Sequence, residues 1–285
     1  MKHISLFSGI GGFDLAAQWA GWDNLASCEI NPFGRSHLAY YWPEAYHHDD
    51  IKTLTGKIIE HEAQKRYGPD WMADGVILSG GFPCQDVSRA KQDGEGQRGL
   101  HGERTGLFYE MLRVVSEVRP DYIVAENVSD ITRINGGKDF SIIMYELSRL
   151  GYNAEWRICR ASEVGACHQR ARAYVVAYPG CLRLEEGESF FSGFYETIPP
   201  ERRIVTGTTA QVWDSWPDQP AVSIVGNEFS EQLDGITFSA WLKESIQAAG
   251  NAVVPQLVLK IFQAINNFTH GTQFEQINAR ASSRK

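Results

Sequence analysis

The sequence predicts an α/β fold: a mostly parallel, doubly wound sheet with helices on both faces, followed by a smaller irregular lobe. Three observations lead there. Short apolar runs alternate with stretches of helical periodicity through the first half of the chain, which is how right-handed βαβ units read. A glycine-rich turn joins the first apolar run to the first helical stretch. Beyond residue 178 the periodicity weakens, and Pro179, Pro199, Pro200, Pro217 and Pro220 interrupt it.

In chain order, His3–Phe7 reads as a buried strand and Gly12–Trp19 as a helix leaving the glycine turn. Leu25–Glu29 is a second strand, with a helix over 32–41. Val76–Ser79 and Tyr122–Ala125 are short and rich in β-branched residues, as strands covered on both faces are. Between them Leu107, Met111, Leu112 and Val115 recur at helical spacing within Thr105–Val118, and Ser141–Leu150 is a further helix. Glu155–Cys159 and Ala173–Ala177 are two more strands, joined by a polar segment holding Arg160, His168, Arg170 and Arg172. The C-terminal helix, 255–265, carries Leu257, Val258, Ile261, Phe262 and Ile265 on one face, suited to packing back on the first domain. The expected division is a catalytic domain of 1–178 with 246–267, a small lobe of 179–245, and a flexible tail of 268–285.

Composition narrows the class. In 285 residues, 43% hydrophobic and 22% charged residues are globular proportions, so collagen-like, coiled-coil and disordered chains are excluded. No apolar run reaches membrane-span length, and the first residues lack the apolar stretch of a signal peptide, so a cytoplasmic protein is expected. Five cysteines at wide spacing (Cys28, Cys84, Cys159, Cys167 and Cys181) fit neither a disulfide framework nor a metal-ligand pattern. The net charge of -8 argues, on its face, against a nucleic-acid partner.

Three segments carry chemistry. In Ile4-Ser5-Leu6-Phe7-Ser8-Gly9-Ile10-Gly11-Gly12-Phe13 a strand, a glycine turn and a helix start follow one another, and glycines let backbone approach a ligand closely. Glu29 stands twenty residues after Gly9, at the tip of the next strand, where an acid meets ribose hydroxyls in a doubly wound fold. That suits an adenosine-containing cofactor, while a plain tight turn is the alternative. No GxxxxGK[ST] run is present, which excludes a P-loop. In Ser79-Gly80-Gly81-Phe82-Pro83-Cys84-Gln85 a cysteine follows the carboxyl end of a strand, at the mouth of the ligand crevice. As a thiolate it would attack electrophilic carbon; otherwise it is a small buried hydrophobe. Glu126, in Ala125-Glu126-Asn127-Val128, follows another strand and faces the same crevice, unless it is an ordinary loop carboxylate. Thiolate and acid beside a nucleotide-like cofactor suggest nucleophilic addition assisted by proton transfer.

Taken in order, Phe-Ser-Gly-Ile-Gly-Gly-Phe, Gly-Phe-Pro-Cys-Gln, Glu-Asn-Val, Gln-Arg-Ala-Arg-Ala-Tyr and Gly-Asn-Ala-Val-Val-Pro resemble the motifs of the DNA cytosine-5 methyltransferases of bacterial and phage type. The resemblance spans residues 1–178 and 246–267. It implies a Rossmann-like S-adenosylmethionine-dependent methyltransferase sheet plus a small target-recognition lobe. It also implies S-adenosyl-L-methionine as cofactor, with no metal. Phe7, Ser8, Gly9, Ile10, Gly11 and Gly12 match the loop that holds its methionine portion, Glu29 the ribose acid, and Asp50 and Ile51 the adenine pair. Pro83, Leu107, Asn251 and Ala252 match further cofactor contacts. Ile30 stands where many relatives carry an aromatic residue that packs on the adenine.

By the same resemblance, Cys84 is the nucleophile that adds to C6 of cytosine and makes C5 electron-rich enough to accept a methyl group. Glu126 is the acid on N3 and the exocyclic amine; Arg170 and Arg172 hold the target base and neighbouring backbone, and His168 replaces a frequent glutamine. Gln85, Ser88, Arg89 and Lys91 belong to a loop that closes on DNA over a flipped base. The partners implied are double-stranded DNA and a cognate restriction endonuclease, with the chain a monomer that acts without a membrane. An RNA cytosine-5 methyltransferase and a silent DNA-binding pseudoenzyme are the competing readings. Asn153–Arg183 carries five arginines against two glutamates, so a basic cleft fits within an acidic chain.

Overall fold

The computed structural model describes residues 1–82, 106–166, 168–182, 184, 188–194 and 238–270. The chain divides into two compact units, Met1–Glu196 with Val253–Lys285, and Thr197–Ala252.

The first unit is built on seven strands: β1 (Lys2–Leu6), β2 (Asp23–Cys28), β3 (Tyr46–His48), β4 (Val76–Gly81), β5 (Tyr122–Val128), β6 (Tyr152–Arg160) and β7 (Ala171–Pro179). Their order across the sheet is β3-β2-β1-β4-β5-β7-β6. β1 to β5 run parallel, and β7 runs antiparallel to both β5 and β6. The sheet is therefore mostly parallel, as expected, with one reversed strand, β7, inserted between β5 and β6. Strand spacing in the sequence fixes which residues are covered but not which way a strand runs.

The helices follow their local signals. α1 (Gly12–Trp19) leaves the glycine turn; α2 (Pro32–Tyr41) has Pro32 in its first turn and an N-cap, Asn31, whose side chain accepts from Phe33 N at 2.8 Å. α3 (Gly56–Tyr67), not expected from the sequence, is capped by Thr55 and stops at Gly68, where φ is +82°. Only Ile59 and Ala63 of that helix are buried, too few to mark a helical period. β3, three residues long, was equally beneath notice. α4 (Gly106–Val118) and α5 (Lys138–Arg149) bury the faces that their periodicity implies.

Two cores flank the sheet. On one face Ile59 and Ala63 of α3, Met111 and Val115 of α4 and Ile143 and Leu147 of α5 pack against Ile4, Leu78, Ile123 and Val175. On the other, Phe13, Ala16 and Ala17 of α1 meet Leu257, Val258, Ile261 and Phe262 of α7 (Pro255–His270), over Ile77, Val124 and Tyr174. α7 is tied to the start of the chain: Trp22 Nε1 donates to Asn266 Oδ1 at 2.7 Å, and Asn266 Nδ2 donates to Ala20 O at 3.0 Å. Phe190 and Phe191 are buried in this second core, so the first unit's packing continues past residue 178. Helix α7 also runs to His270, three residues into the stretch expected as tail, with Phe268 against Phe190 at 4.6 Å between ring centroids.

The regular element of the second unit among the described residues is α6 (Phe238–Asn251), where an irregular lobe was expected. The remainder of that lobe, 195–237, lies outside the described residues. No helix among the described residues is long and apolar enough to cross a membrane.

Candidate active site

At the carboxyl end of β1 the backbone turns sharply. Phe7, Gly9 and Gly11 take φ of +53°, +57° and +87°, the left-handed region that suits glycine and strains Phe7. The turn is stitched to β2 rather than free. Ser8 N donates to Cys28 O at 3.1 Å, Ser8 Oγ to Ser5 O at 3.0 Å, and Gly11 N to Ser8 O at 2.9 Å. Glu29, just past β2, closes it: its Oε2 accepts from Gly9 N at 2.7 Å and its Oε1 from Asn31 N at 2.8 Å. Gly11 and Gly12 have no room for a methyl group. A Cβ on Gly11 would collide with the Trp42 ring, and one on Gly12 would stand 2.6 Å from Val253 Cγ2 and 3.0 Å from Val253 O. Trp42 was not singled out in the sequence, where nothing in its own segment signals that it backs a turn thirty residues earlier.

The tip of β3, which leads into Asp50 and Ile51, is tied to the end of β2 by Glu29 N donating to His48 O at 3.1 Å. Asp50 closes a turn in which its Oδ1 accepts from Lys52 N at 3.0 Å, and Ile51 is buried in the core. Burial pushes the Cys28 thiol up to about 12, reinforced by the carboxylates of Glu29, Asp50 and Asp49, so this cysteine is a neutral core residue. Ile30 is 70% exposed, an aliphatic side chain open at the rim of the cradle. Leu107, in the first turn of α4, packs against the core beside Phe82 and Phe108.

Below the cradle lies a buried polar floor. His3 is fully buried between Asn24 Oδ1 and Ser79 Oγ, each 2.7 Å from a ring nitrogen, so that it links β2, β1 and β4. Burial lowers its pKa to about 4, which keeps the imidazole neutral. Asn24 Nδ2 donates to Asp14 O at 2.9 Å. Asp14 itself is buried with no partner for its Oδ2, and burial pushes its carboxyl up to about 7.

Across the sheet the site is made of charge. Glu126 lies on β5 opposite Gly81 of β4 on one side and Tyr174 of β7 on the other. It is buried, with Oε1 3.0 Å from Arg172 Nε. Its Oε2 faces Gly81, where an added Cβ would stand 3.0 Å away. Burial raises the Glu126 pKa, opposed by the cations of Arg172 and Arg170. Burial lowers that of Arg170, helped by its like-charged neighbour Arg172. Arg170 N donates to Nδ1 of the exposed His168 at 3.4 Å. Asn127 contributes a contact that its motif did not announce. Its Nδ2 donates to Phe82 O at 3.1 Å and fixes the backbone two residues before Cys84.

The structure therefore brings together Phe7–Gly12 with Glu29, and Glu126 with Arg172 and Arg170. Pro83, Cys84, Gln85, Ser88, Arg89 and Lys91 lie outside the described residues. Asn251 and Ala252 belong to the second unit, at the end of α6, where Ala252 N donates to Ala248 O at 2.9 Å.

Residues 1–220 match the family described as C-5 cytosine-specific DNA methylase. The chain belongs to this family. Among this chain's curated relatives, the Type II methyltransferase M2.BsuMI of Bacillus subtilis (strain 168) is 32% identical over 181 residues, covering 62% of this chain and 42% of its own length. The Type II methyltransferase M.FnuDI of Fusobacterium nucleatum is 28% identical over 219 residues, 75% of this chain and 55% of its own. The chain spans about half the length of the curated relatives it matches. Among solved structures, the Entamoeba histolytica methyltransferase EhMeth shares the fold, with a TM-score of 0.60 at 16% identity over 95% of this chain and 99% of that one. The sheet of this chain is thus the Rossmann-like sheet of that fold.

Proposed function

We propose that this chain is a DNA (cytosine-5)-methyltransferase that uses S-adenosyl-L-methionine. One observation carries the reading most: a buried carboxyl, Glu126, ion-paired to Arg172 and facing Gly81, three residues before Cys84, on the same strand tips as the glycine cradle. The cradle fits the cofactor. Nothing stands within 4 Å of where a Cβ on Gly9 would be, which leaves the turn's backbone open to a ligand, and Glu29 offers a carboxylate beside it, as a ribose acid would. When bound, the cofactor supplies an electrophilic methyl group on a sulfonium.

In this reading Phe7 to Gly12, Glu29, Asp50, Ile51, Pro83 and Leu107 orient the cofactor. The Cys84 thiolate forms a bond to C6 of a cytosine flipped from duplex DNA, an extrusion costing a few kcal/mol. Glu126, whose pKa burial raises, is placed to give a proton to N3, which removes negative charge from the ring as the adduct forms. Arg172 keeps that carboxyl oriented and, with Arg170, lies against the base. C5 takes the methyl group, the C5 proton leaves to a base, and the C6–sulfur bond breaks to return the thiolate. Gln85, Ser88, Arg89 and Lys91 cover the flipped base, and the second unit reads the target sequence. The Type II bacterial relatives support a cytoplasmic setting; a cognate endonuclease as partner and a monomeric enzyme complete the proposal.

Purified chain incubated with duplex DNA and methyl-labelled cofactor tests this. Label is expected in the DNA, Cys84→Ser should abolish transfer, and DNA bearing 5-fluorocytosine should trap a covalent adduct. Transfer by Cys84→Ser, or label entering transfer RNA in preference to duplex DNA, overturns the reading.

A further inference from the structure

The middle of α4 reaches under the loop that carries Asp50 and Ile51, through a residue outside every motif named above. Arg113 ion-pairs with Glu110 (Nε to Oε2, 2.8 Å) and Glu117 (Nη1 to Oε1, 3.0 Å) on its own helix. That leaves Nη2 aimed outward, and it donates to two carbonyls of the loop, Ile51 O at 2.7 Å and Leu54 O at 2.8 Å. Glu117 completes the bridge by accepting from Gly56 N at 2.6 Å through its other oxygen. The loop's depth is set independently, because Ile51 and Leu54 are 4% and 1% exposed in the apolar core. What the guanidinium adds is rotation: two carbonyls converging on one nitrogen lock the Ile51–Leu54 turn as a unit, and with it the presentation of Asp50 and of the Ile51 backbone. A rigid, planar five-donor group can hold two carboxylates and two carbonyls at once; a lysine ammonium cannot.

We infer that Arg113 is a positioning residue for the adenine end of the cofactor site, acting through the 50–54 loop. This rests on the reading of Asp50 and Ile51 as adenine contacts. The residue touches no reacting atom, so its effect falls on cofactor affinity and not on turnover.

The experiment compares the full chain with Arg113→Lys and Arg113→Gln by calorimetric titration with S-adenosylmethionine and, separately, adenosine, alongside steady-state kinetics and thermal melting. Both variants should weaken both ligands by about tenfold and raise KM for the cofactor by the same factor, leaving kcat at saturating cofactor and KM for duplex DNA unchanged. Glu117→Gln, which keeps one acceptor oxygen and so at most one of the two contacts to Arg113 and Gly56 N, should weaken binding by a smaller factor and serves where the arginine variants do not fold. A lowered Tm with unchanged affinities makes Arg113 a purely structural residue and overturns the inference, as does a fall in kcat alone. Wild-type titration separates the two levels. Absence of cofactor binding by the wild type overturns the cofactor reading and this inference with it, whereas wild-type binding matched by the variants overturns the clamp alone.

Discussion

The two limbs of the sheet build their halves of the site from different material. Between β1 and β2 the cradle is backbone: glycines at positive φ, N–H groups held by Glu29, and neighbours packed so closely that Gly11 and Gly12 cannot carry a methyl group. Between β4 and β7 the site is side-chain charge, a buried carboxyl and two arginines, with burial raising the pKa of Glu126 and lowering that of Arg170. A site of the first kind fails when atoms are added and loses binding. One of the second kind fails when atoms are removed and loses turnover.

The largest effect is expected on the charged limb. Glu126→Gln keeps the shape but removes the proton donor, and kcat should fall by about 10²–10³, the usual cost of deleting one transition-state hydrogen bond, while cofactor affinity stays within twofold. Arg172→Ala leaves the Glu126 carboxylate buried without its ion pair, a loss of about 3–5 kcal/mol if the charge persists. The group escapes by holding its proton to higher pH, so the alkaline limb of the kcat profile should move upward relative to wild type. An unmoved limb would dissociate Arg172 from the titration of Glu126.

On the backbone limb the three glycines should rank by what a methyl group meets. Gly12→Ala collides with the Val253 backbone, and Gly11→Ala combines a ring collision with a left-handed φ; each should weaken cofactor binding by about tenfold or more with kcat retained. Gly9→Ala meets nothing within 4 Å and incurs only the conformational cost, about 1–2 kcal/mol, shared between folding and binding. Calorimetric affinities that are equal across the three variants would mean that flexibility, and not close approach, is what these positions require.

How much of this was legible in the sequence follows the same division. The glycine turn and Glu29 could be read because the cradle is local at both ends: a strand, a turn and an acid at fixed spacing. The paired glutamate and arginines could be read as motif members, but nothing in their spacing told that β7 would reverse and lie against β5, which is what puts Arg172 3.0 Å from Glu126. Trp42 behind Gly11, Asn127 on Phe82 and Arg113 on Ile51 stayed hidden for one reason. Each is an ordinary side chain in its own segment and acquires its role only from a partner between 31 and 62 residues away. α3, with two buried residues in twelve, and β3, three residues long, carry too little periodicity to be seen.

The smallest predicted effect is the most discriminating, because it asks whether the cradle's floor is uncharged. His3 and Asp14 are buried together and joined through Asn24, which touches the His3 ring and the Asp14 carbonyl. Burial lowers His3 from 6.5 to about 4, so between those values the folded chain binds fewer protons than the unfolded one and stability rises with pH. Burial raises Asp14 from 3.8 to about 7, so over that interval the folded chain binds more protons and stability falls as pH rises. Each slope is about 1.4 kcal/mol per pH unit at most, and over their shared window they oppose each other. Asp14→Asn should therefore gain on the wild type as pH rises from about 4 to 7, and His3→Gln should lose ground over pH 4 to 6.5, both measured as differences in Tm. Two variants that track the wild type at every pH would sink the assignment of a neutral floor. If the opposed slopes are found, both groups are uncharged through that window, and the parallel limb rests on a neutral buried pair while its neighbour keeps Glu126 and Arg172 face to face.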